Sequence, residues 1–257
     1  MKICIFILLV LVFNLSSFAN QAEITLVTEH LPPYQTVHED SSVTGFSVDV
    51  ISTVMQRANI SYNLHSYPWI RTYNLALQKS NHCVFSLART PDREKLFKWI
   101  GPITDNFYAS VWALKRNERV HKINSVEDLK NFTVAVNEND VTHNEMLNYG
   151  LTEGDNLYVV HHSMSLLNIL VTRPEIDFII ADDITIPYRA KLAGVPIELL
   201  QRVIEIKNLP LSFHLACNMN TSEEIVNKLK NSFSSIYQDG TYKEIFARWN
   251  GDIKVKK

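Results

Sequence analysis

The chain has 257 residues, 46% of them hydrophobic and 20% charged, with a formal net charge of −2. That balance suits a folded protein large enough for two modest lobes and excludes a disordered chain. Acidic residues slightly outnumber basic ones and no basic stripe appears, so no nucleic-acid partner is expected.

Residues 1–19 read as a secretory signal peptide. Lys2 supplies the positive end and Ile3 to Phe13 is an apolar run too short to span a bilayer. Ser17-Phe18-Ala19 fits a small-x-small cleavage site before Asn20. No later stretch approaches a membrane span, so a soluble protein exported to the periplasm is expected; a monomer is expected as well. Cys4 lies inside the apolar run. Cys83 and Cys217 remain after cleavage, in an oxidising compartment where they either pair or stay as buried small hydrophobes.

Ile24 to Thr28 alternates as a strand and ends at Glu29. Leu31-Pro32-Pro33-Tyr34 then turns the chain, leaving Tyr34 as either a packed loop aromatic or a ligand platform. Gly45 to Asp49 leads into an apolar-periodic helix over Val50 to Ala58. Ser61 to Tyr67 reads as a strand. Pro68-Trp69-Ile70-Arg71 opens a helix through about Lys79, and His82 to Leu87 is a third strand. The order β-α-β-α-β implies a parallel sheet with helices on its faces.

The stretch Ser86-Leu87-Ala88-Arg89-Thr90-Pro91-Asp92-Arg93-Glu94 follows that strand directly. Pro91 suits the first turn of a helix and Thr90 its N-cap, which puts Arg93 in the first turn. Ligands of open α/β sheets bind at the carboxyl ends of strands, and Arg grips carboxylates bidentately. The competing reading is a surface turn whose arginines pair with Asp92 and Glu94.

Phe107 to Lys115 is a fourth strand and Lys115 to Lys122 a charged connector. Ser125 to Leu129 is a short helix capped by Ser125 and Asp128. The pattern then restarts: strand at Thr133 to Val136, helix at Asp140 to Tyr149, strand at Leu157 to His161, helix at Ser163 to Val171, strand at Asp177 to Ala181. A second α/β lobe is implied. Asn208 to Cys217 is strand-like but interrupted by Pro210. Ser222 to Tyr237 is an amphipathic helix with Ile225, Val226, Leu229, Phe233 and Ile236 on one face, and Tyr242 to Trp249 a last helix.

These landmarks give the chain a family resemblance. Strand-then-Pro-Pro-Tyr34, Gly45-Phe46-Ser47-Val48-Asp49, Arg89-Thr90-Pro91-Asp92-Arg93 with Phe97 to Pro102, Asp177 to Asp182, and Ile236-Tyr237-Gln238-Asp239-Gly240-Thr241-Tyr242 resemble the periplasmic solute-binding proteins of polar amino-acid ABC transporters (family 3). The resemblance implies an α/β, two-lobe periplasmic-binding-protein-like fold of type II with the ligand between the lobes. Lobe 1 would comprise residues 22–112 plus 211–257, and lobe 2 residues 113–210. Cys83 and Cys217 would then both lie at the end of lobe 1 far from the cleft, where a disulfide becomes reasonable.

By position, Arg93 matches the arginine that grips a ligand α-carboxylate and Asp182 the acid that accepts its ammonium group. Tyr34 matches the packing aromatic and Glu29 a polar wall position. Trp69, Arg71, Ser86, Arg89 and Thr90 are further groups near the implied cleft. Arg71 and Arg89 could instead pair with Glu29 or Asp92. The sequence departs from the family at Ala88, often Ser or Thr, and at Asn137-Glu138-Asn139-Asp140, which adds negative charge.

The resemblance implies a binding protein that captures a small carboxylate-bearing solute, an amino acid by default, and delivers it to a membrane permease, with no cofactor. Catalytic motifs are thin: no His-Glu-x-x-His, no cysteine cluster, no Gly-x-Ser-x-Gly. Two alternatives share the fold: a dehydratase of prephenate-like acids, with Glu29 or Glu138 as general acid, and a free receptor for a signalling partner.

Overall fold

The structure, a computed structural model, describes residues 24–104, 108–162, 164–210 and 212–253. The expected signal peptide, Phe107, Ser163 and Leu211 lie outside them. No helix among the described residues is long and apolar enough to cross a membrane.

The first lobe is built on a five-stranded sheet. The chain begins with β1 (Ile24–Thr28), a small ribbon of β2 (Thr36–Val37) and β3 (Val43–Thr44), and helix α1 (Phe46–Ala58). Then come β4 (Tyr62–Ser66), α2 (Trp69–Gln78), β5 (His82–Ala88) and β6 (Phe97–Pro102). Helix α1 buries Phe46, Val50, Ile51, Val54 and Met55 on one face and stops at Asn59, whose left-handed φ of 52° ends the hydrogen-bond ladder. Gly45 precedes it at φ 142°, where a Cβ would stand 2.3 Å from the Tyr34 carbonyl oxygen.

The chain then crosses to a second five-stranded sheet: β7 (Tyr108–Leu114), β8 (Val134–Asn137), α3 (Val141–Asn148), β9 (Leu157–Val160), α4 (Ser165–Thr172), β10 (Phe178–Asp182), α5 (Thr185–Leu192) and β11 (Leu200–Pro210). It returns to the first sheet as β12 (Phe213–Asn218), and α6 (Glu223–Gln238) and α7 (Thr241–Ile253) close the chain.

The sheet orders are β4-β1-β5-β12-β6 and β11-β7-β10-β8-β9. In the first, β1 runs parallel to β4 and β5, and the returning β12 is antiparallel to β5 and β6. In the second, β8 is parallel to β9 and β10, and β7 is antiparallel to β10 and β11. One face of the first sheet packs on α1, α6 and α7 through Phe46, Val54, Leu229, Phe233 and Ile236. Each such side chain contributes about 1.5–3 kcal/mol by leaving water. Gly101 on β6 lets this layer close, since a Cβ there would meet the Phe233 ring at 2.7 Å.

Several expectations are corrected. Pro91 to Leu96 forms tight turns, not a helix, and Phe97–Pro102 is a strand. Pairing of Phe97–Pro102 with β12 overrides the local capping signal. The strand at Tyr108–Leu114, divided at residue 112 in the sequence reading, lies wholly in the second sheet. Val126–Asn131 is a 3-10 turn, with the expected Ser125–Asp128 capping box. Helix α5 and most of β11 carried no expectation.

The two crossings bind each other. Phe213 N–H donates to Thr104 Oγ1 at 2.9 Å, and Ile103 N–H donates to the Phe213 carbonyl at 2.6 Å. Cys83 and Cys217 stand in register on β5 and β12 and form a disulfide, with Cα atoms 3.9 Å apart. It lies near the amino end of β5, away from the carboxyl end that faces the second lobe.

Candidate functional site

The carboxyl ends of β1, β5, β8 and β10 converge between the lobes and enclose a cavity of about 50 Å³. The first lobe contributes Glu29, Trp69, Ser86, Ala88 and Phe213; the second contributes Asn137, Asp140, Thr142, Asp182 and Arg189. Most stand at or near a strand's carboxyl end or the start of the helix that follows, the position at which open α/β sheets present ligand-binding groups, while Arg189 reaches in from within α5 and Phe213 from the start of β12.

Of the expected residues, Glu29, Trp69, Ser86 and Asp182 line this cavity. Ser86 holds a positive φ of 58°, and its hydroxyl donates to Gln35 Oε1 at 2.8 Å. Asp182 caps α5: its Oδ1 accepts from the N–H groups of Ile184 (2.9 Å) and Thr185 (2.8 Å), and its Oδ2 from the Thr185 hydroxyl (2.8 Å). Burial pushes its carboxyl above the ordinary range, while Arg189 and the capping donors pull it back.

Arg93 is 2% exposed and stands just behind the wall formed by Trp69, Ala88 and Asp140. Its guanidinium donates to the carbonyls of Ala88 and Asn139, both at 3.3 Å, and lies 5.7 Å from the Trp69 ring and 5.2 Å from the Tyr73 ring. These contacts are longer than the ~2.7–2.9 Å of a charge-assisted pair. Among the described residues no carboxylate pairs with it.

Arg93, Arg89 and Thr90 line an adjoining groove of about 590 Å³ between the lobes. Arg89 is exposed and chelates Glu94, Nε to Oε2 at 2.8 Å and Nη2 to Oε1 at 2.6 Å, so here the surface-turn reading holds. Arg71 is exposed and stacks 4.1 Å over the Tyr67 ring. Tyr34 is buried in the core of lobe 1, edge-on to Phe213 at 5.1 Å, and the aromatic that reaches the cavity beside Trp69 is Phe213. Glu138 Oε2 accepts from His161 Nδ1 at 2.7 Å, outside the cavity.

The cavity's own cation was not foreseen. Arg189 projects from α5 and is 4% exposed. Burial pulls its pKa down, while Asp182, then Glu29 and Asp140, hold it up. The signal was Asp182 followed by Thr185, a helix start that puts residue 189 one turn beyond Thr185 on the same face. Asp140 caps α3, accepting from the Val141 N–H at 2.6 Å. Loss of water raises its pKa against the pull of Arg93.

The lobes meet at the Asn139 carbonyl. It accepts from Trp69 Nε1 at 3.1 Å as well as from Arg93. Asn139 has a left-handed φ of 54°, and its N–H donates to His143 Nδ1 at 3.1 Å. The proton of His143 therefore sits on Nε2, facing Glu153 Oε1 at 2.9 Å.

Solved structures share this architecture. A histidine kinase sensor domain with similarity to periplasmic binding proteins superposes with a TM-score of 0.78 at 14% identity, covering 89% of this chain and 96% of that one. The arginine-, lysine-, histidine-binding protein ArtJ from Geobacillus stearothermophilus gives 0.74 at 18% identity, covering 91% and 97%. The ancestral amino acid-binding protein AncCDT-1, a precursor of cyclohexadienyl dehydratase, gives 0.72 at 18%, covering 90% and 96%. No curated protein sequence matches significantly. The sequence profile of the bacterial extracellular solute-binding proteins, family 3, matches residues 24–252, and the chain belongs to that family.

Proposed function

We propose that the protein is exported to the periplasm, captures an amino acid between its lobes and delivers it to an ABC-type membrane transporter. The observation that carries this reading is Arg93: a buried guanidinium at the cleft that meets two backbone carbonyls at 3.3 Å and the Trp69 and Tyr73 side chains, with no carboxylate partner among the described residues. A ligand carboxylate offers it the bidentate partner that the protein does not. The acidic groups across the cleft suit an ammonium group, so a zwitterion has a fixed charge on either side. A cavity of about 50 Å³ is smaller than the roughly 150 Å³ that holds one benzene. The lobes therefore close less far over an amino acid than here, turning on the Thr104–Phe213 crossing.

A second reading draws on Asp140 and Asp182, whose raised pKa values suit a general acid for a dehydratase. Both are engaged in helix capping, which favours binding over turnover.

Thermal unfolding of the mature chain against L-amino acids, dicarboxylates and prephenate tests both. A ligand at about a hundred times its Kd adds roughly 2.7 kcal/mol. Stabilisation by an amino acid supports the proposal; conversion of prephenate to a keto acid supports the enzyme reading instead.

A further inference from the structure

The hydrogen-bonding character of the cavity wall specifies the ligand further. Asn137 ends β8 and is 3% exposed, and its side-chain oxygen is buried against the cavity with no donor. An acceptor removed from water without a donor is costly, so that position calls for an N–H from outside the protein.

The neighbouring groups reinforce the demand. The Ser86 hydroxyl proton goes to Gln35 and the Thr142 hydroxyl faces Asp140 Oδ2 at 3.4 Å, so neither hydrogen is directed at a ligand. The Trp69 indole N–H goes to Asn139. Apart from the Arg189 guanidinium, the wall offers mainly acceptors. Its charges agree: Glu29, Asp140 and Asp182 face Arg189 within the cavity and Arg93 behind it. Three carboxylates against two guanidiniums leave one negative charge uncompensated. A neutral zwitterion leaves that excess in place, an acidic amino acid adds to it, and a ligand of net charge +1 cancels it.

We infer that the cleft selects an amino acid of net positive charge, with Asn137 and Asp140 reading its N–H groups. This rests on the reading of the cleft as an amino-acid site, and it assigns specificity to two residues of the second lobe.

Calorimetric titration with L-lysine, L-glutamine and L-glutamate tests it, using the wild type, Asn137→Ala and Asp140→Asn. Asn is itself a good N-cap, so Asp140→Asn keeps the start of α3 and removes only charge. L-Lysine should bind the wild type at least about tenfold more tightly than L-glutamine, with L-glutamate weaker still. Asn137→Ala should weaken L-lysine by about tenfold. Asp140→Asn should shrink the lysine-to-glutamine ratio by about tenfold. Thermal unfolding of both variants checks that they are folded.

Separate results overturn separate statements. If L-glutamine or L-glutamate binds the wild type as tightly as L-lysine, the charge inference fails and the amino-acid reading stands. If folded Asn137→Ala and Asp140→Asn both leave the preference unchanged, these residues do not carry it. If none of the three ligands binds, the inference fails, and failure of every other amino acid as well would remove the reading beneath it.

Discussion

Replacing Arg189 with Met keeps the stem packed beneath the cavity and removes the charge. Asp182, Glu29 and Asp140 then face one another without their shared cation. Breaking a buried pair by removing one partner costs about 3–5 kcal/mol, because the remaining charge stays desolvated. The cost should depend on pH in a definite direction. Asp140 and Asp182 already have raised pKa values, so the folded state binds more protons than the unfolded one above the ordinary carboxylate range. Stability from these groups is present at low pH and lost as pH rises through the folded pKa. Removing Arg189 raises those pKa values further, so Arg189→Met should cost more at about pH 8 than at about pH 5. Urea unfolding of the ligand-free protein at the two pH values reads both quantities. A cost below about 1 kcal/mol, or one equal at both pH values, would refute the assignment of Arg189 as the counter-ion of the cavity.

Replacing Cys83 and Cys217 together with Ser should cost about 3–5 kcal/mol in urea unfolding, because the bond closes a loop 134 residues long. Ligand affinity of the folded variant should be unchanged, since the bridge is remote from the cavity; a large loss would contradict that. Arg89→Ala should change stability by less than about 1 kcal/mol, as an exposed ion pair with Glu94 does, and a larger loss in urea would show that Arg89 is structural. His143→Phe keeps the ring but strands the Asn139 N–H, so it should weaken ligand binding by about tenfold through the interlobe contact at the Asn139 carbonyl. Unaltered affinity in a titration would remove His143 from that role.

Much of the fold was legible where local pattern and tertiary contact agree. The apolar spacing of Ile225, Val226, Leu229, Phe233 and Ile236 marks the buried face of α6, and the run from Cys83 to Leu87 marks a strand buried on both faces. The turn after β5 was misread because Thr90 and Pro91 do suit a helix start. What decides that segment is distant in sequence: β12 inserts between β5 and β6, so the chain from Arg89 to Leu96 must step over it. Helix α5 escaped notice because it is short and weakly amphipathic, with Pro187 in its first turn; its start is fixed by the Asp182 side chain. Arg189 was lost with it, since a charged residue on an unassigned helix reads as solvent-facing. Tyr34 and Phe213 show the same limit. Both are aromatics at a strand–loop junction, and only the packing of β12 against the Pro32-Pro33 loop decides which ring reaches the cavity.

The most direct test of the account is calorimetric titration of the mature protein and of Arg93→Met with the L-amino acids. Met preserves the stem between Trp69 and Tyr73 while removing the guanidinium. The account predicts one-to-one binding of at least one amino acid by the wild type. It predicts a loss of about thirtyfold or more in a folded Arg93→Met variant, from a charge-assisted contact worth about 2–5 kcal/mol. Wild-type affinity in that variant, or no binding of any amino acid by the wild type, would contradict it.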